Sequence, residues 1–114
     1  GMTLLKIDYV EFASGDLARS KAFFANAFEW TFQDYGPDYA ALTNAGLDGG
    51  VHSDPEHANA LPLVILKATD LEAAEAAVKA AGGTIVRPIF AFPGGRRFHF
   101  REPGGNELAV WSEK

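Results

Sequence analysis

The spacing of apolar residues changes several times along the chain, and each change marks an element. Leu4 to Phe12 is apolar and ends in alternation, with Ile7, Tyr9 and Glu11 on one face and Val10 and Phe12 on the other, which predicts a strand. Ser14-Gly15-Asp16 is turn chemistry, with Asp16 as an N-cap. Leu17 to Phe28 then runs at helical spacing: Leu17, Phe24 and Phe28 form an apolar stripe that Phe23 and Ala27 widen. Trp30 to Tyr35, Tyr39 to Thr43 and Gly49 to His52 read as short strands, separated by Gly36-Pro37-Asp38 and Asn44-Ala45-Gly46.

After the polar stretch Ser53 to Ala60 the same succession begins again. Leu61 to Lys67 reads as a strand buried on both faces. Asp70 opens a helix from Leu71 to Ala81, with Leu71, Ala74, Val78 and Ala81 on one stripe and Gly82-Gly83 as its C-terminal stop. Thr84 to Phe90 is a strand, Pro93-Gly94-Gly95 a turn, and a hairpin closes the chain. The order strand–helix–strand–strand–strand thus occurs twice, with Asp16-Leu17 and Asp70-Leu71 at equivalent points. The prediction is a single α+β domain over residues 2–114, made of units 2–52 and 61–114 joined by a linker at 53–60. Gly1 is read as a remnant of cloning and set aside.

The closing hairpin has two distinct faces. Phe98, Phe100, Leu108 and Val110 share one; Arg97, His99, Arg101, Glu107 and Trp111 share the other. Between the strands, Glu102-Pro103-Gly104-Gly105-Asn106 is a tight turn, because proline presets φ while glycine and asparagine accept positive values. One face of this hairpin fits a core and the other a ligand.

A duplicated βαβββ order, helices opened by Asp-Leu, and the closing pattern G-R-x-F-x-F-x-x-P-x-G-N-x-L from Gly95 to Leu108 together resemble the vicinal oxygen chelate superfamily. That superfamily includes glyoxalase I, fosfomycin and bleomycin resistance proteins, and extradiol dioxygenases. The resemblance implies two tandem βαβββ units forming a curled mixed sheet, helices on the convex face, a ligand on the concave face, and chains that pair as homodimers. It also implies where the metalloenzymes of the family would hold a divalent ion. Those positions fall at Tyr9, Leu63 and Ala109, with the fourth at Gly50 or His52. Leucine and alanine offer no donor atom, whereas a divalent metal needs several deprotonated N or O ligands. The expectation is therefore no metal and no cofactor.

The candidate ligand-binding residues are Tyr9, Glu11, His52, Arg97, His99, Arg101, Glu107 and Trp111. Arginine forks bind carboxylates and other anions bidentately, and an indole gives a planar group a stacking surface. Each residue also has a plain structural reading: a tyrosine closing the core, a solvated charged strand, a tryptophan at a dimer seam. His52 and His57, with Asp54 and Glu56 between them, suit a solvated loop better than an improvised metal site. Arg96 joins Arg97, His99 and Arg101 in a local basic cluster.

Composition narrows the functions further. The net charge of −5 over 114 residues argues against nucleic-acid binding as the main role, since that affinity comes from clustered Lys and Arg. No cysteine is present, which excludes disulfides and thiolate chemistry and fits a cytoplasmic location. No apolar run is long enough to span a membrane and no secretory signal is evident. The first functional expectation is a metal-independent protein that binds a small anionic or aromatic molecule. The alternative is a glyoxalase-like lyase or isomerase, or a dioxygenase-related enzyme with a non-standard site, using Glu11 or His99 as general base or a metal held by a set such as His52 and Glu11. A module that kept the fold and lost its ligand is a third, blander reading.

Overall fold

The computed structural model describes residues 4–57 and 60–114. Ala58 and Asn59, in the expected linker, lie outside the described residues. The chain divides into two compact units: Tyr9–Pro62, called here the N-terminal unit, and residues 4–8 with Leu63–Lys114, the C-terminal unit.

The N-terminal unit contains most of β1 (Lys6–Ser14), then α1 (Leu17–Phe28), β2 (Phe32–Asp34), β3 (Tyr39–Leu42) and β4 (Gly49–Ser53). Strands β1 and β4 are parallel, while β4 with β3 and β3 with β2 are antiparallel. The C-terminal unit repeats this plan with β5 (Leu63–Lys67), α2 (Leu71–Ala80), β6 (Thr84–Phe92), β7 (Gly95–Arg101) and β8 (Glu107–Ser112). Here β5 and β8 are parallel, and β8 with β7 and β7 with β6 are antiparallel. The duplication expected from Asp16 and Asp70 is thus repeated strand for strand in the pairing. Both aspartates are N-caps: Asp16 accepts from the Arg19 N–H and Asp70 from the Ala73 N–H.

The core of the C-terminal unit forms as the alternation requires. Leu71 and Ala74 of α2 pack with Ala68, Phe98, Phe100 and Val110, and Leu66, Val78, Ile85, Ile89 and Leu108 border them. One face of the β7–β8 hairpin therefore lies under the helix, and the other faces away from it. Gly82, with φ of 99°, ends α2 in the left-handed conformation.

Three expectations need correction. The α1 stripe is not a buried one: no α1 residue is fully buried, and Phe23 and Phe28 are 60% and 55% exposed. Leu17 and Phe24 are half-buried, and Phe24 meets Phe12 and stacks on Trp30 at 4.9 Å between ring centres. The strand expected from Trp30 begins later, at Phe32. Glu29 caps α1 at φ 60°, Trp30 folds back on Phe24, and the Thr31 N–H donates to Asn44 Oδ1 instead of a ladder. Part of the polar stretch after β4 is a single 3-10 turn, Pro55–His57, where the His57 ring meets Asp54 at 3.0 Å.

Candidate functional site

The turn after β7 fixes the register on which the site depends. The Glu102 carboxylate accepts from the backbone N–H groups of Gly104 and Asn106, and these bonds hold it below the usual carboxylate range. The Gly105 N–H reaches the Glu102 carbonyl at 2.9 Å, with φ of 102° at Gly105. Arg101 then pairs with Glu107, His99 with Ala109, and Arg97 with Trp111. The five hairpin residues expected to share a face do so.

Strand β6 adds the part of the site that alternation hides. Its pairing with β7 shifts register twice, between Ile85 and Arg87 and again between Arg87 and Phe90. Each shift inserts one extra β6 residue, and an inserted residue turns the following side chains to the other face. Ile85 pairs with the core residue Phe100, yet Arg87 pairs with His99 and Phe90 with Arg97. Pro88 lies within the second shift, where its missing N–H is tolerated. Without these bulges Arg87 would share the core face of Ile85.

The result is a cationic and aromatic surface. The Arg87 guanidinium lies 4.1 Å from the Phe90 ring centre, and that of Arg97 lies 5.5 Å from Phe90 and 5.8 Å from Phe92. Phe90 also packs on the His99 ring at 5.8 Å. Trp111 is half-buried, with its indole N–H donating to Asp8 at 3.2 Å, Lys67 over its ring at 4.9 Å and Phe92 at 6.2 Å. The indole is thus already flanked by Asp8, Lys67 and Phe92.

His99 is 5% exposed. Its Nδ1 lies 3.0 Å from Glu107 Oε2, and its Nε2 is buried with no hydrogen-bond partner. Glu107 also reaches Arg101 Nη2 at 3.6 Å, so one carboxylate serves both groups. Burial lowers the His99 pKa, and the charges of Arg97 and Arg87 act in the same direction; only Glu107 opposes them. The imidazole is therefore neutral near neutral pH. With Glu107 as an acceptor, the ring proton sits on Nδ1 and the lone pair on Nε2.

This gives a signed pH dependence. The unfolded chain protonates this histidine near its ordinary value of about 6.5, while the folded chain resists. Stability from this group is complete above that value and is lost as pH falls toward the lowered folded pKa. Thermal melts from about pH 7.5 to about pH 5 should show a falling Tm. His99→Gln should flatten that slope. An unchanged slope would show that the histidine titrates alike in both states.

Tyr9 and Glu11 belong to the N-terminal unit and meet Tyr39. The Tyr39 hydroxyl donates to Glu11 Oε2 at 3.2 Å, so the short Tyr9–Tyr39 hydrogen bond uses the Tyr9 proton. Burial, then Tyr9 and the Glu11 charge, push the Tyr39 pKa up and keep its hydroxyl protonated. The Tyr39 ring lies across Gly50: a Cβ there would come within 2.0 Å of its hydroxyl oxygen. His52 pairs with Tyr39 and is half-buried.

The register also settles the fourth family metal position. Glu11 pairs with Gly50 as Ile65 pairs with Ala109, so the position is Gly50 and not His52. The four positions are Tyr9, Gly50, Leu63 and Ala109. Three lack a donor side chain, the phenol of Tyr9 is hydrogen-bonded to Tyr39, and the Tyr39 ring fills the space above Gly50. These residues do not fit the family's metal. Among the described residues no three His, Asp or Glu side chains converge on a common point elsewhere.

Five residues that help form the two sites were not evident in the sequence: Arg87, Phe90, Phe92, Lys67 and Tyr39. Of these, Arg87 is turned to this face by the first β6 shift, while Phe90 and Phe92 lie beyond the second shift, which restores the alternation begun at Thr84. Arg96 leaves the basic cluster. Its guanidinium bonds Glu72 of α2 at 2.6 Å and the Lys114 carbonyl, a tie between helix and C-terminus.

The fold and these positions can be set beside known proteins. No curated protein sequence matches the chain significantly. A superfamily member from Vibrio splendidus 12B01 superposes with a TM-score of 0.74 at 17% identity, over 96% of this chain and 99% of its own. Methylmalonyl-CoA epimerase from Mycobacterium tuberculosis gives 0.71 at 14% identity, over 98% and 91%. The Mn(II)-bound glyoxalase from Novosphingobium aromaticivorans gives 0.67 at 22% identity, over 96% of this chain but 40% of its own. These similarities concern the fold. A family model matches residues 6–110. With its doubled βαβββ plan, the chain belongs to the glyoxalase/bleomycin resistance protein/dioxygenase superfamily.

Proposed function

We propose that the protein binds a small molecule carrying a carboxylate or similar anion next to an aromatic ring, without a metal. The observation that carries this reading is the placement of Arg87 and Arg97 around Phe90 on the sheet face opposite α2. Guanidinium groups beside aromatic rings bind an anion through their N–H forks while the rings take its planar part. The donor-poor residues at Tyr9, Gly50, Leu63 and Ala109 support a site that works without a divalent ion.

4-Phenylbutanoate carries both features, 4-phenylbutan-1-ol only the ring and hexanoate only the anion. The first should raise Tm in a saturable way and the others far less, because ligand at about 100 times its Kd adds about 2.7 kcal/mol. Arg87→Ala and Arg97→Ala should each weaken the effect about tenfold or more, as expected for a lost charge-assisted hydrogen bond of about 1.5–3 kcal/mol. Equal shifts with all three compounds, or none, would remove this reading. So would stoichiometric Ni, Zn, Mn or Fe after loading, with the Tm shift abolished by chelation.

A further inference from the structure

We propose that His99 and Glu107 form a general-base dyad that moves a proton on the bound ligand, making the site catalytic toward carbon acids such as aromatic 2-oxo acids. This rests on the binding reading above and adds a reaction to it.

The geometry has three parts. Glu107 holds His99 through Nδ1 at 3.0 Å, which fixes the ring and leaves Nε2 as the basic atom. Nε2 is buried and has no hydrogen-bond partner. A buried polar atom without a partner costs stability, typically about 1–3 kcal/mol, and a bound donor would relieve that cost. Arg87 stands directly across the strand pair from His99, with its guanidinium 4.1 Å from the Phe90 ring centre. The site thus places a base, its orienting carboxylate and a cation side by side, the arrangement that proton abstraction next to a carbonyl requires.

The groups acting on the imidazole within this unit are Glu107 of β8, Arg97 of β7 and Arg87 of β6, and Arg101 of β7 reaches Glu107. The arginine charges and burial keep Nε2 unprotonated, and Glu107 stabilises the imidazolium once it forms. In the step itself, Nε2 takes the proton from the carbon beside the ligand's carbonyl. The C–H electron pair becomes a C=C bond, and the carbonyl π pair moves to oxygen. The resulting enolate lies beside Arg87. The imidazolium returns a proton to carbon, restoring the keto acid, or to oxygen, giving the enol. No oxidant or further reactant takes part. Because Nε2 is buried, a ligand reaches it only if a neighbouring side chain yields, and Phe90 is the ring packed against His99 in this unit.

The test uses 2-oxo-4-phenylbutanoate in D2O, with proton NMR following loss of the C3 signal and thermal shift following binding. Wild-type protein should exchange C3 hydrogen at least about 100-fold faster than His99→Gln. Glu107→Gln changes a partly exposed residue. It should slow exchange about tenfold or more through loss of the ring orientation, while the concentration giving half-maximal Tm shift stays the same. In ¹⁵N-histidine spectra, wild-type His99 should carry its proton on Nδ1, and Glu107→Gln should shift it toward Nε2. Binding of the oxo acid without exchange, or exchange at the wild-type rate in either variant, would overturn the dyad and leave the binding reading intact. No thermal shift with either phenyl acid would overturn both.

Discussion

Phe98→Ala is expected to cost about 3–5 kcal/mol of stability, the usual penalty for emptying a fully buried phenylalanine site. Phe98 has no exposed surface and sits among Leu71, Ala74, Phe100 and Val110, with the Phe100 ring centre 6.2 Å away. Strands on either side hold its backbone, so the cavity cannot close by local collapse. A domain of this kind has about 5–15 kcal/mol in total, so the loss is a large fraction of the whole. Urea unfolding followed by circular dichroism should show a lower midpoint with an unchanged slope. A cost below about 1 kcal/mol would mean that α2 settles into the space.

Gly95→Ala is expected to be nearly as damaging, for the opposite reason. Gly95 has φ of 154°, and a Cβ there would lie 2.0 Å from the Ser112 carbonyl oxygen and 3.0 Å from Glu113 Cα. Both obstacles are backbone and cannot rotate away. Crowding and backbone strain each cost about 1–3 kcal/mol, so about 3 kcal/mol is expected together. The residue begins β7, and Arg96 beside it pairs with Ser112. Relief would therefore move the strand that carries Arg97 and His99. The same urea experiment measures the loss, and wild-type stability would show that the β7–β8 pair can part at this end without cost.

Much of the fold was legible because its local signals agree. Asp16 and Asp70 cap helices that start at the expected residues, and the first also ends where its apolar spacing does. The β7–β8 hairpin has the faces and turn its alternation implied, since nothing interrupts its ladder. The errors fall where a non-local contact overrides the local pattern. Phe23 and Phe28 have helical spacing, but spacing does not say how much of a stripe is covered. Trp30 looked like the start of a strand, yet it stacks back on Phe24. Arg96 looked like one member of a cluster, but alternation puts it on the face where Glu72 waits.

The candidate site was legible in proportion to how regular its strands are. Arg97, His99, Arg101, Glu107 and Trp111 follow a strict period and were found together. Arg87 follows one register shift and Phe90 two, and neither was found. Tyr39 escaped for another reason: its role depends on an empty Cβ position at Gly50, which only the strand register reveals.

The double bulge in β6 has a consequence for how such a site changes over generations. Strand β6 is last in its unit's order and pairs with β7 alone, so its register can slip without disturbing β8 or β5. Loss or gain of one residue near Pro88 would exchange which of Ile89, Phe90, Ala91 and Phe92 shares the face of Arg97 and His99, while Phe98, Phe100 and Val110 stay in place. Relatives could then acquire a different wall by a single-codon insertion or deletion. Alignments that forbid gaps within strands would misread the change as several independent substitutions.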